Sequence, residues 1–211
     1  TLHYGEDNWK YMNDDYKLKP VKPSFDGEPS YEDIPYGLHR ADQPYWKDYE
    51  IRRYAYWSVF AGGCGFTYGH NSVMQFFTPP DTTASYFPKQ SWKEGIQAPG
   101  AAQMQVLKKL ILGKSYFDRV PAQDAVVNNG ERYDYIAATR GKDYALFYTY
   151  TGRSFKVDLM KLKFSPRKAA WFSPSTGERK PFSEYRNTLD KEFDPPGEPA
   201  NGNDWVLILE K

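Results

Sequence analysis

From Gln123 to the C-terminus the chain is cut about every ten residues by a turn dipeptide: Asn129-Gly130, Gly141-Lys142, Thr151-Gly152, Thr176-Gly177 and Asn201-Gly202. Short apolar runs without a helical period lie between them. They predict seven strands, at Ala125–Asn128, Tyr133–Thr139, Tyr144–Tyr150, Phe155–Asp158, Ala169–Phe172, Glu192–Phe193 and Asp204–Leu209. Strands this short bury their apolar sides by stacking two antiparallel sheets, so residues 115–211 read as a small β-sandwich. Asn128-Asn129-Gly130 has the chemistry of a tight hairpin. Trp171 and Trp205 fall inside strand runs and are expected in the core rather than on a binding face.

Ahead of Gly113 the pattern is different. Asp7–Asp15 reads as a short polar helix carrying Trp9 and Met12. Ser24–Gly27 is a short strand entered through Pro20 and Pro23 and left at Pro29, and Tyr31–Gln43 is a polar loop. Pro44 opens a helix through Ala61, where Ile51, Ala55 and Val59 share a face, and Gly62, Gly63 and Gly65 end it. Gly65–Gly69 is a second strand, His70–Gln90 a long loop, and Pro99–Leu112 a last helix with Met104, Leu107, Leu110 and Ile111 inward. The rhythm is that of parallel strands joined by helices. Parallel sheets need several neighbours and cover on both faces, and only two strands are visible. Residues 1–114 are therefore expected to be the C-terminal portion of a larger α/β domain, absent in its first half from this chain.

Composition narrows the function. Lys and Arg number 28 against 27 Asp and Glu, which argues against a polybasic nucleic-acid surface. No run approaches the roughly 20 apolar residues of a membrane span. Tyr, Phe and Trp, at 18, 13 and 6, are abundant. Most fill a core, but Tyr and Trp also suit the apolar C–H faces and hydroxyls of sugars. The single Cys64 and the scattered His3, His39 and His70 give no metal-binding spacing, and no cofactor is expected. Cys64, among glycines, is expected to be a small buried residue.

The densest cluster of reactive groups is Asp26-Gly27-Glu28-Pro29-Ser30-Tyr31-Glu32, at the C-terminal end of the first strand. In barrels that end carries the active site. Asp26 and Glu28 would share a side if the strand stayed extended. Paired carboxylates suit glycosidic cleavage, one protonating the leaving oxygen and the other attacking the anomeric carbon or activating water. A solvated acidic turn is the alternative. Tyr68, His70 and Asn71 end the second strand and could bond sugar hydroxyls, or simply build a loop. Trp46, Trp57 and Trp92 are candidate stacking platforms, with packing the default, and one of Arg52-Arg53 could reach a carboxylate at a barrel mouth, with a surface ion pair the default.

These runs resemble a known family. They are Lys19-Pro20-Val21-Lys22-Pro23 with Asp26 through Asp33, Arg52 through Gly62, Phe66 through Phe76, and Ala98 through Met104. The tail adds Ala138-Thr139-Arg140-Gly141, Trp171-Phe172-Ser173-Pro174 and Asp204-Trp205-Val206-Leu207. Together they resemble the C-terminal half of the apiosidase-like glycoside hydrolases, family 140, bacterial proteins often labelled endoglucanases. The resemblance implies a (β/α)8 barrel followed by a β-sandwich that often carries a collagen-binding name. It makes Ser24–Gly27 and Gly65–Tyr68 the last two barrel strands and Glu28 the nucleophile. Asp26, Tyr31, Tyr68, His70 and Asn71 become substrate contacts. The acid/base would lie in an upstream barrel half, the partner of this chain, which alone would be inactive. Carbohydrate in plant cell-wall side chains is the implied substrate, and the periplasm or cell exterior the implied location. The sequence departs from the family at Cys64-Gly65-Phe66, where Ala-Gly-His is expected. The competing reading is a sandwich that binds carbohydrate or protein on its own, with the rest as support.

Overall fold

The structure, a computed structural model, describes residues 7–182, 185 and 191–211. His3 lies outside them. Five helices come first: α1 (Asn8–Lys17), α2 (Asp48–Phe60), α3 (Asn71–Met74), α4 (Trp92–Gly95) and α5 (Pro99–Leu112). Nine strands follow: β1 (Val120–Pro121), β2 (Val126–Val127), β3 (Ala137–Arg140), β4 (Tyr144–Thr149), β5 (Phe155–Val157), β6 (Lys168–Phe172), β7 (Arg179–Pro181), β8 (Lys191–Phe193) and β9 (Trp205–Glu210). They form an antiparallel six-stranded sheet, β1-β3-β4-β9-β6-β7, and an antiparallel three-stranded sheet, β2-β5-β8. The fold is thus mixed: helices packed on a β-sandwich.

Alternation along the central strands explains the layering. In β4, Tyr144, Leu146 and Tyr148 face the helices, while Ala145 and Phe147 face the small sheet. In β9, Val206 and Ile208 face the helices, and Leu207 and Leu209 the small sheet. Successive residues of a strand point to opposite faces. A strand covered on both sides must therefore be apolar throughout, and both runs are. From the helical side, Tyr56, Val59 and Phe60 of α2 and Leu107, Leu110 and Ile111 of α5 complete that core.

One polar cluster crosses this interface. Arg52 forks onto Asp204, Nε to Oδ2 at 2.9 Å and Nη2 to Oδ1 at 2.7 Å, with both side chains buried. Its Nη1 reaches Asp48 and Gln103, each at 2.7 Å, and the Tyr148 hydroxyl donates to Asp204 at 3.1 Å. Burial pushes the Asp204 carboxyl up, and Arg52 opposes that shift. Next to it Arg53 is fully buried, its guanidinium 4.6–5.2 Å from the ring centroids of Tyr54, Trp57, Tyr133 and Tyr150. The expected surface ion pair is therefore a buried one for Arg52, and Arg53 meets aromatic rings rather than a carboxylate; both arginines point into the junction between α2 and the sandwich.

Other expectations shift for physical reasons. The helix expected from Pro44 starts at Asp48, because Tyr45 pairs with Pro35 and Trp46 exchanges backbone hydrogen bonds with Ile34 and Asp33. Asn128-Asn129-Gly130 makes no hairpin: β2 pairs with β5 in one sheet and β3 with β1 and β4 in the other. Asn128 has φ 48°, and the Asn129 side chain holds both backbone groups of Ile136. The extended runs at 24–27 and 65–69 reduce to one parallel bridge, Asp26 with Phe66, and a second, Glu32 with His70, lies just beyond them. Cys64 is exposed: it leaves the Gly62-Gly63 turn with its backbone, not its thiol, bonded inward, to Ser24 and Tyr116. The short strands β1 and β7 are not marked by turn spacing; they edge the large sheet, and each ends in proline.

Removing one partner of a buried pair strands the other's charge, at a cost of about 3–5 kcal/mol. Arg52→Met should therefore lower stability by about that much, and Asp204→Leu on the same background should recover much of the loss. Urea and thermal unfolding check this. A loss no larger than that of an exposed pair would show that Arg52 and Asp204 do not join the two parts.

Candidate functional site

The two parallel bridges bracket a short excursion of the chain, residues 27–31, carrying Glu28 and Tyr31. Facing it on the other segment are Thr67, Tyr68 and Gly69, between Phe66 and His70. Backbone bonds fix the frame: Asp26 N to Gly65 O at 3.3 Å, Thr67 N to Asp26 O at 2.9 Å, Glu32 N to Gly69 O at 2.9 Å and Asn71 N to Glu32 O at 2.9 Å. Helix α2 lies between the two segments in sequence, so the unit is strand-like segment, helix, strand-like segment.

Extended pairing stops at Asp26, so the alternation that would set Asp26 and Glu28 on one side does not apply. Asp26 Oδ2 turns to the helices, accepting from Asn8 Nδ2 of α1 at 2.7 Å and Ser58 Oγ of α2 at 2.6 Å. Glu28 is exposed. Its partner is Tyr31, whose phenol is pushed up first by burial and then by the charge of Glu28 and the hydrogen bond to it. An accessible carboxylate with a phenol beside it is chemically equipped to attack an electrophilic carbon.

Tyr68, His70 and Asn71 line the frame rather than its mouth. The Tyr68 hydroxyl donates to Glu32 Oε2 at 2.7 Å, and the same oxygen accepts from Gly100 N at 3.1 Å at the start of α5. His70 is buried: its Nδ1 accepts from Ser72 N at 3.2 Å, capping α3, and its Nε2 lies 3.0 Å from the Gln90 amide. Burial holds the imidazole below its ordinary pKa, against the charge of Asp33. Asn71 is fully buried and donates to the backbone oxygens of Asp33 and Tyr86, at 2.7 and 2.8 Å, while Gln75 donates to its Oδ1. His70 and Asn71, expected from the sequence to touch sugar hydroxyls, have polar atoms engaged with residues 33, 72, 86 and 90. Trp46 and Trp57 are packing residues, and Trp92 stands edge-on to Phe76 with centroids 5.9 Å apart.

Sequence reasoning names Glu32 only as part of the acidic cluster. Its role is structural and visible from Gly100: a Cβ there would collide with the Glu32 carboxylate and lie 2.9 Å from the Tyr68 ring. Among the described residues no group of three or more His, Cys, Asp or Glu could hold a metal ion.

Burial pushes the Glu32 carboxyl above its ordinary value, against the hydrogen bonds from Tyr68 and Gly100. The folded state then holds a proton that the unfolded chain releases, so this group's contribution to stability is lost as pH rises through the folded pKa. Glu32→Gln should flatten that dependence: relative to wild type, the variant should gain stability as pH is raised from the ordinary glutamate range through the folded pKa of Glu32. Urea midpoints across that range measure it, and parallel curves would show that Glu32 is not responsible.

Residues 1–118 match the family described as "Apiosidase-like, catalytic domain", and residues 120–210 match "Putative collagen-binding domain of a collagenase". A solved structure described as "Glycoside hydrolase" is 41% identical over 100% of this chain and 51% of its own, with a TM-score of 0.93. Another, a glycoside hydrolase family 5 protein from Bacteroides vulgatus ATCC 8482, is 41% identical over 97% of this chain and 45% of its own, with a TM-score of 0.92. The chain thus spans about half the length of the solved relatives it matches. No curated protein matches it. The fold is shared with these relatives over essentially the whole chain, and the chain belongs to the apiosidase-like glycoside hydrolases.

Proposed function

We propose that these residues form the last part of a (β/α)8 barrel whose enzyme cleaves glycosidic bonds in side chains of plant cell-wall polysaccharide, with Glu28 as nucleophile. The observation that carries this is the exposed Glu28, at the end of a parallel-paired segment and beside a phenol donor. The parallel bridges, joined through α2, are what two adjacent barrel strands with their connecting helix would supply. The general acid belongs, on this reading, to an upstream barrel half, as the length of the solved relatives allows.

In the chemical step the ionised Glu28 oxygen bonds the anomeric carbon as the carbon–oxygen bond to the leaving group breaks. The upstream acid gives its proton to the departing oxygen. Water, deprotonated by that same residue, then displaces Glu28. This course requires the two carboxyls to stand about 5–5.5 Å apart. Tyr31 donates to Glu28 and orients it, and Asp26 and Tyr68 hold the two segments that frame it. Polysaccharides do not enter cells intact, so the enzyme works in the periplasm or outside the cell. No helix among the described residues is long and apolar enough to cross a membrane.

The alternative, an autonomous binding sandwich, is less well supported. A carbohydrate-binding sheet presents planar aromatics to solvent. Both faces of the central strands β4 and β9 of the large sheet are covered, and Lys156 and Glu192 face each other as exposed residues on the small one. The exposed large apolar side chains among the described sandwich residues are Phe117 and Met160. The sandwich is better read as a buttress for α2 and α5.

Glu28→Gln in the full-length enzyme should cut sugar release from branched pectin oligosaccharides by about four orders of magnitude or more, with the circular dichroism spectrum unchanged. Undiminished release by the folded variant would remove Glu28 from the reaction. Absence of release by wild type on pectic and glucan substrates alike would favour the binding-module reading.

A further inference from the structure

We propose that Gly69 is a positioning residue for Glu28: its missing side chain is the seat of the Tyr31 ring, and the seated ring aims its hydroxyl at the Glu28 carboxylate. This deepens the reading of Glu28 as nucleophile and rests on it.

The constraint is steric. A Cβ at Gly69 would lie 2.5 Å from Cε1 and from Cγ of Tyr31, and closer still to Cδ1. Real side chains do not approach so closely, so any residue but glycine must push the ring aside. What collides is the body of a flat ring, not the end of a flexible chain, and the ring has little room to yield. Its own backbone is held, because the next residue, Glu32, donates to Gly69 O at 2.9 Å and pairs with His70. Gly69 and Tyr31 thus face each other across the frame at fixed separation, and the ring lies flat over the Gly69 backbone. Gly69 is not among the positive-φ glycines, so no unusual backbone angle calls for glycine there. The empty Cβ space is what the position supplies. At the far end of the ring, Glu28 is the carboxylate that bears on the hydroxyl, by its charge and as hydrogen-bond partner. A flexible glutamate on an exposed excursion needs an external reference to hold one orientation, and a ring clamped on a backbone is such a reference.

The test has a spectroscopic arm and a kinetic arm. With tyrosine labelled at the ζ carbon, the Tyr31 resonance is assigned by its absence in Tyr31→Phe. Taking the wild-type chain from about pH 7 to about pH 3 protonates carboxylates and should move that resonance, and Glu28→Gln should abolish most of the movement. Gly69→Ala should abolish it too, because the displaced hydroxyl no longer senses Glu28. An undiminished Glu28-dependent shift in Gly69→Ala overturns the proposal. Should Gly69→Ala fold poorly, Tyr31→Ala on the same background removes the colliding ring and should restore the melting temperature; no restoration would also overturn it.

In the full-length enzyme, Tyr31→Phe and Gly69→Ala should each lower kcat roughly ten- to hundredfold, as loss of a hydrogen bond to a charged group predicts, with KM little changed. The double variant should be no worse than Tyr31→Phe, since without the hydroxyl there is nothing left to misplace. Losses that multiply would overturn action through Tyr31. A Glu28→Gln enzyme that still turns over would instead refute the nucleophile assignment. An inactive Glu28→Gln enzyme beside fully active Tyr31→Phe and Gly69→Ala enzymes would refute this inference alone.

Discussion

A guanidinium and a carboxylate withdrawn from water join positions 152 residues apart, and the rest of the architecture is arranged around that contact. Arg52 and Asp204 could not be buried singly: a lone charge in a protein interior costs several kcal/mol. Buried together, with Asp48, Gln103 and Tyr148 taking up the remaining donors and acceptors, they specify which residues of α2 meet which strand of the large sheet. Apolar contacts around them supply most of the attraction but little of the register. Arg53 adds a second constraint, since its cation is met by four ring faces contributed by both parts of the chain. The helices and the sandwich are held by these contacts as one packed body.

That rigidity bears on the site. Helix α2 carries Ser58, which holds Asp26, and Asp26 starts the excursion that carries Glu28. Helix α5 begins at the Gly100 amide, which holds Glu32 at the other end of the same excursion. Both helices rest on the sandwich. The frame that carries an exposed carboxylate is therefore held by layers of contacts that run down to the sheet, while the direction of that carboxylate is what we assign to Tyr31 and Gly69.

The sequence carries unequal amounts of this. Helix α5 is legible to its end residues, because Pro99 opens it, Gly113 follows it, and its apolar residues keep one face. The strands β4 and β9 are legible as apolar runs, although their burial on both faces is not, since a sequence does not say what will cover the second face. The arginines mislead because Arg-Arg on a helix ordinarily means a surface, while the Arg52 carboxylate partner Asp204 and two of the rings around Arg53 lie far along the chain. The hairpin expected at Asn129-Gly130 fails for the same reason: local turn chemistry is right about the bend and silent about which sheet each arm will join. Glu28 stands out by chemistry and by resemblance. Gly69 does not, because an unfilled Cβ position becomes visible only when the ring that fills it is in place.

The two margins of the large sheet differ in chemistry from its apolar centre. Strand β1 closes on Pro121 and strand β7 on Pro181, and all three residues of β7 are exposed. A proline has no backbone N–H to offer, and the Arg179-Lys180 pair beside Pro181 brings charge to the same margin. An incoming strand from another copy of the molecule would find an interrupted ladder on one side and an interrupted, cationic one on the other. The sheet that supports the helices is thus poorly suited to growing by strand addition, a useful property in a chain so rich in β-structure and aromatic residues.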